Sequence, residues 1–109
     1  MQEVTLKAGS TFSWTYEIPD SYVDGYFASG WTMHSQAIDA DSGAVVADLD
    51  PQWVDEVTTR AVQVVEHDTD TWPRAVLVDV LFRRTEDGLK LTTETVSVKL
   101  ERQVSRVMP

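Results

Sequence analysis

The chain has 109 residues and no cysteine, which excludes disulfides, thiol chemistry and zinc held by cysteine. With 42% apolar and 25% charged residues, it reads as one soluble globular domain over residues 1–109. The net charge of −9 is carried by the N-terminal half: residues 8–59 contain no lysine or arginine, whereas residues 60–109 balance, and a field of that sign excludes nucleic acid and anionic membranes as expected partners.

Period-two alternation starts at once and predicts strands. Val4 and Leu6 alternate with Glu3, Thr5 and Lys7, and Ala8-Gly9-Ser10 then marks a turn. Phe12, Trp14, Tyr16 and Ile18 alternate with Ser13, Thr15 and Glu17, which places Trp14 in the core; Pro19 closes this strand. Asp24-Gly25 and Ser29-Gly30 punctuate a loop containing Tyr26 and Phe27. A strand over 31–38 follows, with Trp31, Met33, Ser35 and Ala37 on one face. Asp41-Ser42-Gly43 is expected to turn it into a strand from Ala44 to Leu49.

Asp50-Pro51 opens an irregular connection that carries Trp53, and a further strand is predicted from Val57 to Glu66. A single helical turn fits Asp68 to Trp72, closed by Pro73. From Ala75 to Arg83 the apolar run is broken only by Asp79, the pattern of a central strand covered on both faces. Thr85-Glu86-Asp87-Gly88 turns it into one long strand over 90–102. About seven short strands separated by Gly, Asp and Pro turns predict an all-β, immunoglobulin-like antiparallel β-sandwich. Val78, Val80, Phe82, Val96, Val98 and Leu100 are its expected central core.

Catalysis has no candidate in this sequence. His34 and His67 lie apart from any nucleophile or carboxylate at relay spacing and read as surface residues. Asp39-Ala40-Asp41-Ser42-Gly43 resembles the opening of a calcium loop, but Gly43, Ala44 and Asp50 occupy the later positions where a third oxygen ligand, glycine and glutamate are required, so a hairpin explains it. No phosphate loop or nucleophile elbow is present, and no metal or cofactor is expected. The candidate interface residues are the aromatics Tyr26, Phe27 and Trp53 and the acids Asp39, Asp41, Asp48 and Asp50. An aromatic in a connection either plugs an open end of the sandwich or meets a partner.

The order of these motifs resembles a family of small tailed-phage virion domains, akin to the N-terminal domain of the phage baseplate upper protein family. The likeness is carried by Val4 to Phe12 with its Gly9-Ser10 turn, by Gly30-Trp31-Thr32-Met33, by Thr71-Trp72-Pro73, and by Asp79-Val80, Glu86-Asp87-Gly88 and the Thr-rich stretch from Thr92 to Val104. The resemblance implies an immunoglobulin-like sandwich that is not an enzyme. It would be made in the host cytoplasm and assembled into the virion as a capsid decoration or a neck, tail or baseplate component. It also implies partners among other virion proteins and a homo-oligomer, a trimer as first expectation. The alternative, carried by the basic-free stretch alone, is an acidic mimic of nucleic acid that inhibits a host DNA-binding protein.

Overall fold

The computed structural model describes residues 2–18, 31–55 and 60–102. Among them the chain is all-β and forms nine strands: β1 (Gln2–Lys7), β2 (Phe12–Glu17), β3 (Trp31–Asp39), β4 (Val45–Leu49), β5 (Gln52–Asp55), β6 (Ala61–Glu66), β7 (Ala75–Arg84), β8 (Lys90–Thr92) and β9 (Val96–Glu101). Two strands beyond the expected seven arise from particular places. Trp53 lies in β5 rather than in an irregular connection, and the long strand expected over 90–102 is divided into β8 and β9. The strand expected from Val57 begins, among the described residues, at Ala61. The punctuation at 19–30, including Tyr26 and Phe27, lies outside the described residues.

The strands make two sheets. The larger has the order β1-β9-β7-β3-β4, with β8 also paired to β7, and the smaller has the order β2-β6-β5. One pairing departs from the antiparallel expectation, since β1 runs parallel to β9 with Val4 opposite Val98 and Leu6 opposite Leu100. The cause is the turn at Gly9, φ +90°, which carries the chain from one sheet to the other. Consecutive strands β1 and β2 therefore do not pair, and β1 joins an edge whose strand already runs its way.

One face of β7 is fully buried through Val76, Val78, Val80 and Phe82, while Leu77, Asp79 and Leu81 on the other are only half-buried. The uniform apolar run thus reflects one buried face and one partly exposed face, not a strand covered on both. Inward residues of the smaller sheet, Phe12, Tyr16, Val62 and Val64, pack with these valines and with Val96, Val98 and Leu100 in one cluster. Aromatic pairs help to fill the space between the sheets: Phe12 lies 5.7 Å from Trp72, and Trp53 lies 5.9 Å from Phe82. The segment expected to make a helical turn is a tight turn closed by Trp72 N–H donating to the Thr69 carbonyl at 3.0 Å, with no helix.

Both predicted hairpins form, each around a glycine with positive φ: Gly43 at +77° and Gly88 at +76°, a region that other residues enter at a cost. At the second, Arg84 grips Asp87 by two hydrogen bonds. The Arg84 guanidinium, with help from the Leu89 amide, pulls the Asp87 carboxyl down to about 2. Because the folded value lies below the ordinary one, the hairpin's gain is present above about pH 4 and fades as pH falls toward 2.

The division between β8 and β9 is a one-residue bulge. From Leu81 to Val78 β7 advances three residues, while its partners advance four, from Thr92 to Val96. Thr93 supplies what the regular ladder would have supplied: its N–H donates to the Val80 carbonyl at 3.0 Å, and its Oγ1 accepts from Val80 N–H at 2.9 Å. Replacing Thr93 with valine keeps the shape but strands the buried Val80 amide, so urea denaturation should show a loss of about 1–3 kcal/mol. Thr93→Ser, which keeps the oxygen, should lose much less. Phe82→Ala, which empties a fully buried site beneath Trp53, should cost about 3–5 kcal/mol in the same assay and weaken the near-ultraviolet dichroism of the tryptophans.

Candidate interaction surfaces

The four candidate aspartates border β4, the outer strand of the larger sheet, without forming one compact cluster. Asp39 and Asp41 flank the β3–β4 turn, Asp48 lies within β4 and Asp50 follows its end. Asp39 is a turn residue. Its carboxylate accepts from the N–H groups of Asp41 at 2.8 Å and Ser42 at 3.3 Å, and these bonds hold its carboxyl below the usual range. Asp48 and Asp50 each accept a hydrogen bond from a nearby glutamine amide, Gln36 at 2.9 Å and Gln52 at 2.8 Å. Asp41, Asp48 and Asp50 are exposed. They present carboxylates along a sheet edge that no further strand pairs among the described residues, the usual means of discouraging an edge from pairing with another chain.

Trp53 is half-buried, packed against the core and inclined at 37° to Phe82. Trp14 differs from its expectation. It packs against the core cluster but is only half-buried, in an edge-on arrangement with Tyr16 at 6.5 Å. His34 is exposed on the outer face of β3, and His67 is exposed after β6.

A concavity that the alternation did not reveal brings residues of the second predicted strand together with Leu91, Thr93 and Glu94. A groove of about 400 Å³ runs between β2, through residues 14–18, and the bulge, through Leu91, Thr93 and Glu94. At its floor the Tyr16 hydroxyl donates across the sandwich to the Val78 carbonyl at 3.1 Å. Tyr16 is 5% exposed, and burial, reinforced by the negative charges of Asp79 and Glu94, pushes its hydroxyl up to about 12 against a hydrogen bond with Thr93 that lowers it. Glu17 and Glu94 stand exposed at the rim, and neither has an ion-pair partner among the described residues. Among its described lining residues the groove holds no histidine, cysteine or serine. Its chemistry is apolar contact, hydrogen bonding and negative charge, which suits recognition.

No protein-family model matches the chain, and no curated protein matches it in sequence.

The Tyr16 geometry yields a pH dependence. A hydroxyl whose folded value is raised above 10 favours the folded state fully below pH 10, and the gain is lost as pH rises through 12. Stability measured by urea denaturation should therefore fall between pH 10 and 12 in the natural protein. Tyr16→Phe should lose about 0.5–1.5 kcal/mol near neutrality and show a shallower decline above pH 10.

Proposed function

We propose that the protein is a non-enzymatic structural component of a tailed-phage virion, an accessory or decoration protein or a neck, tail or baseplate part that assembles as an oligomer on the particle. The immunoglobulin-like character of its sandwich belongs to the same proposal. The observation that carries the reading is the series of corner motifs from Val4 to Val104, which runs along nearly the whole chain in the order of the virion domains it resembles. An all-β body with two sheets around one core is consistent with that series. The exposed carboxylates beside β4 add a surface whose field would guide attachment to a basic region of a virion protein and reject wrong partners.

Fixed copy number is the first measurement. Mass spectrometry of purified particles, referred to the major capsid protein, should find the chain in a constant ratio, and its absence from particles would end the proposal. Charge reversal then tests the acidic edge. Asp41→Lys, Asp48→Lys and Asp50→Lys combined should slow incorporation into particles lacking the natural protein by roughly tenfold or more at low salt, with the difference shrinking as salt screens the charges. Asp39 is kept, because its carboxylate holds the turn. Uptake unchanged by the triple reversal would leave these acids as a solvated edge. The inhibitor reading predicts a different result, salt-sensitive capture by a DNA-binding protein with no particle association.

A further inference from the structure

Sheet edges are where chains add to one another, and the edges of this sandwich are not alike. β4 is bordered by aspartates, β5 has four residues and β8 has three, while β1 carries Glu3 and Lys7. β2 is six residues long, is paired to β6 on one side only among the described residues, and has the groove along its other side. Five consecutive residues, 14–18, line that groove, so both inward and outward side chains contribute and the groove follows the strand's edge rather than one face.

The direction of the backbone groups follows from the ladder. Ile18 N–H donates to the Arg60 carbonyl at the β6 side at 3.2 Å, and in an antiparallel pair this orientation repeats every second residue. Phe12, Trp14 and Tyr16 therefore turn their N–H and C=O groups toward β6, while Ser13, Thr15 and Glu17 turn theirs to the open side. Beside that open edge stand the half-buried Trp14 ring, the apolar Leu91 and the carboxylates of Glu17 and Glu94.

We propose that this edge takes up an extended segment of a partner protein in which apolar residues alternate with lysine or arginine, added as a fourth strand to the β2-β6-β5 sheet. Main-chain bonds to Ser13, Thr15 and Glu17 give the attachment. Apolar side chains enter the groove against Trp14 and Leu91, and cationic ones meet Glu17 and Glu94 at its rim. Charge complementarity selects the occupant. The wall from β2 lies in a stretch with no lysine or arginine, so an acidic segment meets repulsion there and a basic one meets two carboxylates that have no ion-pair partner among the described residues. The inference deepens the assembly reading and rests on it for the partner's being another virion protein.

The test uses the whole chain in solution and two short synthetic peptides, one alternating lysine with valine and one alternating glutamate with valine. The lysine peptide should bind saturably, quench tryptophan fluorescence, and shift backbone amide resonances at residues 13–17 and 91–94. The glutamate peptide should bind at least about tenfold more weakly. Thr15→Pro removes an N–H on the open side and should abolish binding. Should that variant fail to fold, Glu17→Lys with Glu94→Lys, both at exposed positions, should reverse the peptide preference. Equal binding of both peptides, no binding, or shifts confined to another edge would overturn the proposal. If the lysine peptide binds as expected but the protein is absent from particles, the virion reading fails and the edge site stands. If particles contain the protein and take up the double reversal normally, the virion reading stands and the edge is not its dock.

Discussion

Backbone polar groups enclosed between two apolar sheets must find partners, and this requirement shapes the structure most sharply at Val78 and Val80. Both residues are buried on the strand that runs through the centre of the larger sheet. There the partner chain gains a residue, and a regular ladder can no longer serve every amide and carbonyl. Thr93 serves Val80 with both its main chain and its hydroxyl, and Tyr16 reaches from the opposite sheet to the Val78 carbonyl. An unpaired amide or carbonyl in such a place costs about as much as a lost hydrogen bond. The bulge, a polar Thr in the core and a tyrosine rather than a phenylalanine in β2 are thus parts of one solution. The same solution ties the sheets together by a directional bond as well as by contact between valines.

That local solution also makes the groove. A bulged strand bends and twists away from a regular course, and Leu91 and Glu94 on either side of the extra residue face β2 across an open seam. Had β8 and β9 been one straight strand, the wall opposite Trp14 would have been set by the plain alternation of the sheet. The residue that satisfies the core therefore also places Glu94 at the surface, close enough for its charge to act on the Tyr16 hydroxyl. The hydrogen bonding of the core and the lining of the groove share atoms here, so substitutions at Thr93 or Tyr16 are poor probes of the proposed binding, whereas Glu17 and Glu94 are clean ones.

Much of this architecture was legible in the alternation of apolar residues. The cores of β2, β3, β7 and β9, both glycine hairpins and the burial of Val78, Val80, Phe82, Val96, Val98 and Leu100 follow from it directly. The pattern failed where burial was partial. Trp14 has the spacing of a core residue but sits on an edge strand, where the sheet ends before the ring is covered. Trp53 lies between Pro51 and an acidic stretch that masks a strand of only four residues. The apolar outer face of β7 mimicked a strand covered twice because Leu77 and Leu81 are tolerated half-exposed. The bulge did leave a signal: Leu91 and Val96 are both buried but stand five positions apart, and an odd interval cannot place both on one face of a continuous strand. The groove was invisible for a different reason, since it joins β2 to residues more than seventy positions later, and only the topology brings them together.

Negative charge has two distinct physical settings on this molecule. Along β4 the carboxylates of Asp48 and Asp50 accept bonds from glutamine side chains and Asp39 is spent on its own turn, so that edge is both charged and internally satisfied. An edge of this kind repels like surfaces at a distance and offers little to grip on contact. At β2 the carboxylates flank apolar surface and a row of main-chain groups that no strand pairs among the described residues, and neither carboxylate has an ion-pair partner among those residues. Long-range fields chiefly govern how fast partners meet, while short-range bonding and desolvation govern how long they stay. In the docking proposed above, the two edges would therefore serve successive steps, β4 and its turn contributing to the approach of a basic surface and β2 holding the segment that arrives.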